Sequence, residues 1–293
     1  MKFVFFGTPE FASIVLAKLI AAGFVPEMVV CNPDRPVGRK KVITPPPVKK
    51  SIMNQVSSVK DKIKILQPEN ISELKKLDYL TPDTCDLFIV AAYAKILPKE
   101  IVDIPRFGTI GVHPSLLPKY RGASPIQGAI LAGEKETGVT LYLLDEKMDR
   151  GKIVSSIKYQ VSSNDTYKTL EKKLAELGGD LLAETLLKFL NGEITPKTQN
   201  ESEATYTKKF SIEDAFVDEK TLGEATGGKN PETASAIYRK ILALTPEPGV
   251  WTLRSLDTAR DKQQRVKLLE AELRDGKLVL KVIQNEGQKL IKI

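Results

Sequence analysis

The chain has 293 residues, of which 42% are hydrophobic and 28% are charged, a composition that excludes collagen-like, coiled-coil and disordered proteins. Two cysteines, Cys31 and Cys85, provide neither a disulfide framework nor a Cys-x-x-Cys metal site. The longest apolar run, from Leu87 to Tyr93, is too short to span a membrane, and a net charge of +7 favours a polyanionic partner. The N-terminal apolar stretch is too short for a signal peptide, so we expect a cytoplasmic protein.

The first part of the chain alternates short apolar runs with helical patterns, which predicts a doubly wound, mostly parallel α/β sheet of the Rossmann type. The predicted strands span residues 2–6, 28–31, 63–66, 87–93, 109–113, 139–144 and 153–161. The last of them is expected at an edge of the sheet. A helix is predicted at 11–22, and Ser124 and Pro125 are the expected N-cap and first residue of another.

The second part of the chain predicts a long helix followed by a small β domain. Asn164 or Asp165 is expected to cap the helix, whose leucines form one buried stripe and which ends near Gly192. A helix at 234–244 precedes short strands at 250–253, 266–271, 277–282 and 290–293, which predict an OB-like barrel. We therefore expect a first domain at 1–192, a linker at 193–206 and a C-terminal domain at 207–293.

Two side chains are candidates for acid–base chemistry. His113, the only histidine, ends a predicted buried strand, where open α/β sheets place their sites. Its imidazole can accept a proton or stabilise an oxyanion, although a hydrogen-bonded core histidine would look the same. Asp149 lies in a turn and either orients an imidazole or is an ordinary turn residue. A single histidine excludes the common His-rich zinc sites, and we expect no metal.

Two loops bear on the kind of ligand. The opening turn, Gly7 to Glu10, lacks the second and third glycines of a dinucleotide fingerprint, which argues against an NAD or FAD enzyme. The loop from Ser115 to Pro125 contains prolines, a glycine and apolar residues, and such a loop can form an apolar ligand wall with a few backbone donors.

Most of the excess positive charge lies in residues 33–50, where six basic residues stand against one acidic residue. The prolines and the glycine of this segment predict a long irregular loop, a form that favours function over packing. A solvated surface is the alternative interpretation.

The chain resembles the methionyl-tRNA formyltransferase family, and the resemblance covers nearly the whole length of the chain. The most specific match is Val-His-Pro-Ser-Leu-Leu-Pro-Lys-Tyr-Arg-Gly-Ala at 112–123, and further matches lie at 5–12, 34–41, 136–140, 148–151, 204–206 and 246–252. The resemblance implies transfer of a formyl group from 10-formyltetrahydrofolate to the α-amine of methionyl initiator tRNA. It implies a cytoplasmic enzyme, which we expect to be a monomer, with a formyltransferase domain and a tRNA-binding C-terminal domain.

The family's site consists of an asparagine, a histidine and an aspartate, and the resemblance implies that His113 and Asp149 are the last two. It implies that one loop holds the folate: Ser115, Leu116, Leu117 and Pro118. We expect the basic segment to contact tRNA phosphates through Arg35, Arg39, Lys40 and Lys41. A sugar-nucleotide N-formyltransferase, which would use the same catalytic core, is the alternative.

One position departs from the family pattern, because Gly111 stands where the family has asparagine. Glycine has no side-chain donor for an oxyanion, and loss of one such donor typically costs on the order of 10²–10³ in rate. Residues 109, 111 and 113 share one face of a regular strand, so a side chain at 111 would point toward the His113 site. Activity is expected to be reduced unless another group compensates. A catalytically impaired tRNA- or folate-binding homologue is the third possibility.

Overall fold

The computed structural model describes residues 1–38, 40–76, 81, 83–255 and 263–293. They form two compact units. The first consists of Met1–Gly122, Glu136–Gln160 and Glu171–Tyr206, and the second of Ala123–Lys135, Val161–Leu170 and Thr207–Ile293. Among the helices that the structure describes, none is long and apolar enough to cross a membrane.

The strands follow one another along the chain as β1 (Phe3–Gly7), β2 (Met28–Val30), β3 (Arg35–Val37), β4 (Val42–Thr44), β5 (Lys64–Leu66), β6 (Leu87–Ala91), β7 (Thr109–His113), β8 (Arg121–Gly122), β9 (Glu136–Leu143), β10 (Ile153–Gln160), β11 (Tyr206–Thr207), β12 (Trp251–Ser255), β13 (Gln263–Arg274), β14 (Lys277–Asn285) and β15 (Leu290–Lys292). The α-helices are α1 (Glu10–Ala21), α2 (Pro47–Met53), α3 (Ser57–Lys60), α4 (Lys99–Val102), α5 (Pro125–Ala132), α6 (Tyr167–Leu190), α7 (Glu219–Thr226) and α8 (Pro231–Leu244). Short 3₁₀ helices span Ile71–Lys76 and Glu201–Glu203.

The first unit contains a seven-stranded sheet in the order β10-β9-β7-β6-β1-β2-β5. The five strands from β7 to β5 are parallel, whereas β9 runs antiparallel to β7 and β10 antiparallel to β9. Every residue of β1 is buried, as expected of a parallel strand covered on both faces of its sheet. The predicted doubly wound, mostly parallel sheet is confirmed, and β10 lies at its edge.

The predicted cap of the long helix is wrong by one or two residues. Helix α6 begins at Tyr167, and the hydroxyl of Thr166 accepts a hydrogen bond from the Thr169 amide at 3.2 Å, which makes Thr166 the N-cap. The Asp165 carboxylate accepts instead from the Ser162 amide at 3.0 Å and the Thr169 hydroxyl at 2.9 Å. Both side chains stabilise the same turn, and the sequence does not show which of them takes the cap.

The basic segment is more ordered than the irregular loop that the sequence predicts. Strands β3 and β4 pair antiparallel, with Val37 opposite Val42, and helix α2 then begins at Pro47. Proline is well suited to the first turn of a helix, and β-branched residues suit a strand pair. The hairpin exposes apolar side chains, since Val42 and Ile43 are 58% and 63% accessible.

The second unit contains a four-stranded antiparallel sheet in the order β12-β13-β14-β15. Helix α8 is capped by Asn230, which accepts from the Thr233 amide at 3.1 Å, and it buries Ile237 and Ile241. Helix α7, which the sequence did not predict, is capped by Asp218. The predicted small β domain is confirmed as this antiparallel sheet.

Candidate active site

His113 ends strand β7 at the carboxyl edge of the parallel strands, and 6% of its surface is exposed. Its Nε2 lies 3.0 Å from the carbonyl oxygen of Tyr120, and its Nδ1 lies 3.7 Å from Oδ2 of Asp149. A carbonyl oxygen and a carboxylate are both acceptors, so both ring nitrogens face groups to which an imidazole can donate. The structure therefore brings the two predicted acid–base residues together.

Asp149 is held from two sides. Its Oδ2 accepts a hydrogen bond from the Gly122 amide at 2.7 Å, and its Oδ1 accepts one from the Tyr142 hydroxyl at 2.6 Å. The backbone of Asp149 is left-handed, with φ of 54°, a conformation that aspartate tolerates better than most residues. These contacts give the carboxylate one orientation, directed at His113.

Tyr142 is a site residue that sequence reasoning missed. It lies on β9 directly opposite Gly111 of β7, and its ring meets the His113 ring edge-on, with centroids 6.3 Å apart. Burial, together with the nearby charge of Asp149, raises the pKa of the Tyr142 phenol well above its ordinary value. The phenol therefore remains protonated and able to donate. The cross-strand register, which the sequence does not display, is what brings it here.

The loop after β7 uses its polar atoms to hold its own shape. The Ser115 hydroxyl donates to the Lys119 carbonyl at 2.6 Å, and the Thr140 hydroxyl donates to the Ser115 carbonyl at 2.7 Å. The Leu117 amide donates to Thr140 Oγ1 at 3.0 Å. Ser115, Leu117 and Pro118 are buried, whereas Leu116 is partly exposed. Thr140, which the sequence did not predict as a site residue, thus fixes a loop of defined shape.

A buried arginine anchors the segment that follows α6 beside the Asp149 turn. The Arg121 side chain has no exposed surface and donates to Gln199 Oε1 at 2.8 Å, to Glu201 Oε1 at 2.8 Å and to the Tyr206 hydroxyl at 3.1 Å. Gln199 in turn donates to the Asp149 carbonyl at 2.9 Å.

Glu201 receives a second cation. Arg150 also donates to its carboxylate, and the hydrogen bonds from Arg121 and Arg150 lower the pKa of Glu201 from 4.5 to about 2. Arg121 and Gln199 thus connect the Arg150–Glu201 pair to the backbone carbonyl of Asp149.

Of the predicted tRNA contacts, Arg35, Lys40 and Lys41 lie on the hairpin rather than around His113. Arg35 pairs with Glu69, and Lys40 and Lys41 are exposed. Arg39 lies outside the described residues. Lys49, another basic residue of the segment, is held by Asp34 at 2.9 Å and by Gln67. These contacts occupy its ammonium group.

The described residues contain no group of three or more His, Cys, Asp or Glu side chains that could hold a metal ion.

Comparison with known families identifies the class of protein to which this mostly parallel sheet belongs. The family described as formyl transferase matches residues 1–186. A methionyl-tRNA formyltransferase from Halalkalibacterium halodurans is 41% identical over 253 residues, which cover 86% of this chain and 74% of that protein. The chain belongs to the methionyl-tRNA formyltransferase family.

Solved structures share the fold at lower identity. A methionyl-tRNA formyltransferase from Clostridium thermocellum is 15% identical with a TM-score of 0.56, and the similarity covers 100% of this chain and 99% of that one. An N-formyltransferase from Helicobacter canadensis, in complex with folinic acid and dTDP-3-aminofucose, is 20% identical with a TM-score of 0.60, covering 94% and 88%. At these identities the similarity establishes the fold alone.

Proposed function

We propose that the protein transfers a formyl group from 10-formyltetrahydrofolate to the α-amine of methionine on initiator tRNA. The observation that carries the proposal is the pairing of His113 with Asp149 at the end of β7, with Nδ1 and Oδ2 3.7 Å apart, in a chain of this family. A histidine held by a fixed carboxylate is a suitable group for moving a proton and for stabilising a developing oxyanion.

The reaction requires modest acid–base work. An α-amine has an ordinary pKa near 7.7–8.0, so a substantial fraction is already nucleophilic at neutral pH. Its nitrogen forms a bond to the formyl carbon, and the bond from that carbon to the folate nitrogen then breaks. His113, oriented by Asp149 through Nδ1, is proposed to turn Nε2 from the Tyr120 carbonyl to the developing oxyanion and to assist transfer of the amine's proton to the leaving nitrogen. Positioning and fixed electrostatics supply the rate.

Two buried polar atoms beyond the carboxyl ends of the parallel strands support binding of a co-substrate. The proposed folate contacts are Ser115, Leu116, Leu117 and Pro118. Two further residues come just after parallel strands of the same sheet: Asn32 follows β2 and Tyr93 follows β6. Asn32 Oδ1 and the Tyr93 hydroxyl are both buried without a hydrogen-bond partner. Burial raises the pKa of Tyr93 to about 12, so its hydroxyl remains available as a donor. Buried polar atoms of this kind need a partner, and a ligand can supply it.

The hairpin is the proposed tRNA contact within the first unit. Arg35, Arg39, Lys40 and Lys41 would meet phosphates, whose contacts supply affinity without carrying sequence information. The exposed apolar side chains of β4 would pack against the nucleic acid. The C-terminal domain, 207–293, is proposed to bind tRNA as well, and the protein to act as a cytoplasmic monomer.

A transfer assay tests the proposal directly. The purified protein is incubated with labelled 10-formyltetrahydrofolate and one of two acceptors, methionyl initiator tRNA or a dTDP-linked amino sugar. Label is expected on the tRNA and not on the sugar, and it should be lost in Asp149→Asn. Label on the sugar alone would establish the alternative substrate class, and label on neither acceptor would indicate a binding protein without transfer activity.

A further inference from the structure

Gly111 is a glycine because of the space around it rather than because of its backbone. Its φ is not among the positive values of the chain, so an ordinary residue could adopt its conformation. A Cβ atom at this position, however, would lie 2.4 Å from Cε1 and 2.7 Å from Cζ of Tyr142, and 2.6 Å from Cδ1 of Leu144. The Tyr142 ring therefore occupies the volume that a side chain at 111 would need.

The ring that fills this volume ends at the catalytic pair. The Tyr142 hydroxyl donates to Asp149 Oδ1 at 2.6 Å, while the other carboxylate oxygen lies 3.7 Å from His113 Nδ1. Tyr142 is itself 7% exposed, so water does not readily replace its hydrogen bond. A buried, charge-assisted hydrogen bond of this kind is stronger than a neutral one.

From this geometry we infer that Gly111 and Tyr142 form a matched pair, in which Tyr142 is a positioning residue for the proposed reaction. The missing side chain at 111 admits the tyrosine, and the tyrosine fixes the carboxylate of Asp149 against His113. The inference rests on the proposed function, because it assigns Tyr142 its role through those two residues. It explains why a chain with glycine at this position keeps the rest of the site intact.

Direct stabilisation of the oxyanion by Tyr142 is a different role, and the structure argues against it. A phenol has one O–H donor, and in this structure that donor is directed at Asp149. Donation to a substrate oxygen would require the phenol to abandon the carboxylate. Tyr142 therefore acts through Asp149.

Tyr142→Phe removes the hydroxyl and keeps the ring, and we expect kcat to fall about tenfold or more with KM for both substrates within twofold. The matched control is Tyr238→Phe, because the Tyr238 hydroxyl donates to Asn164 Oδ1 at 3.2 Å and has no part in the proposed chemistry. The control is expected to retain kcat within twofold. If Tyr142→Phe also retains kcat within twofold, the inference is wrong.

A second readout does not depend on activity. His113 is the only histidine, so its ring gives a single set of imidazole NMR signals. Phenylalanine preserves the aromatic ring beside His113, so a change in these signals on Tyr142→Phe reports a displaced Asp149 rather than a lost ring. We expect a change in Tyr142→Phe and none in Tyr238→Phe. If the parent transfers no formyl group, the proposed function fails, and unchanged signals would separately overturn the inference.

The pairing itself is tested at Gly111. Gly111→Ala should lower kcat about tenfold or more when Tyr142 is present, because its Cβ collides with the ring; the end of the Leu144 side chain can rotate away. In a Tyr142→Leu background the same change should cost less than twofold, because the ring is gone. Equal losses in both backgrounds would contradict the pairing. So would a rise in kcat on Gly111→Asn with Tyr142 retained, since that result would mean that a missing amide donor limits the rate.

Discussion

The His113 site and the β3–β4 hairpin hold their charged groups in opposite ways. In the site, both oxygens of Asp149 accept hydrogen bonds and its side chain is 12% exposed. In the hairpin, Lys40 and Lys41 are exposed and the apolar Val42 and Ile43 are more than half accessible. Hydrogen bonds fix the first region, whereas solvent surrounds the second.

This difference separates two tasks. A buried charge with fixed partners keeps its direction and is screened by salt much less than an exposed charge, as a reaction centre requires. Exposed charges are screened by salt and adapt to a flexible partner, as phosphate binding requires. Substitutions in the site should therefore change rate, and substitutions in the hairpin should change affinity.

The largest effect is expected from His113→Ala, which removes the imidazole from the site. Formyl transfer should fall by on the order of 10²–10⁴, because general acid–base groups contribute in this range. Initial rates at saturating tRNA and folate measure the loss, and the thermal midpoint checks that the protein is folded. Activity within threefold of the parent would remove His113 from the mechanism.

Arg121→Met should reduce the free energy of unfolding by about 2 kcal/mol, because the buried Gln199 oxygen loses its donors. The rate should also fall, since Gln199 holds the Asp149 carbonyl. Urea unfolding measures the first effect. Arg106→Met, at an exposed position, is the matched control and should change stability by less than about 0.5 kcal/mol. Equal stabilities for the two variants would show that the network contributes nothing.

A smaller effect is expected from neutralising Arg39, Lys40 and Lys41 together. Binding of tRNA should weaken, and the slope of log affinity against log salt should flatten by up to about one for each lost phosphate contact. Filter binding across a salt series measures the slope. Neutralising Lys60, Lys62 and Lys64 removes the same charge elsewhere and should leave the slope nearly unchanged. An unaltered slope for the hairpin variant would make this segment an ordinary solvated surface.

The smallest effect concerns pH. The pKa of Glu201 is about 2 in the folded protein and 4.5 in its ordinary state, so ionised Glu201 stabilises the fold above about pH 4.5. That contribution is lost as the pH falls toward 2. Glu201→Gln should therefore flatten the decline of stability over this range, whereas Glu184→Gln, on the exposed face of α6, should not. Parallel acid-side curves for the parent and Glu201→Gln would contradict the assignment.

Local sequence patterns predicted the strand that ends at His113 and the turn that contains Asp149. Strand β7 was predicted with its observed bounds, 109–113, because it is a short apolar run that ends at the only histidine. The local sequence also predicted that Asp149 lies in a turn. Its contact with His113, however, depends on the packing of segments that are distant in sequence. Contacts between distant segments cannot be predicted from local sequence patterns.

The features that sequence reasoning missed depend on register. Gly111 and Tyr142 lie on different strands, and only the antiparallel pairing of β7 with β9 places them opposite each other. Strands β3 and β4 were missed for a related reason. Their prolines and basic residues are typical of a loop, and the pairing of the two short strands joins residues that are not adjacent in sequence. A glycine in a buried strand was the one available signal, since it often marks the close approach of another group.

The most direct test asks whether the site sets the rate and the hairpin sets the affinity. It measures single-turnover formylation with enzyme in excess for three proteins: the parent, His113→Ala and the hairpin variant in which Arg39, Lys40 and Lys41 are neutralised. The account predicts that His113→Ala has a lower rate at saturating enzyme, whereas the enzyme concentration that half-saturates the tRNA is unchanged. It predicts that the hairpin variant keeps the rate at saturation and needs more enzyme to reach it. The account is contradicted if His113→Ala keeps the saturating rate, or if the hairpin variant loses it while binding tRNA as the parent does.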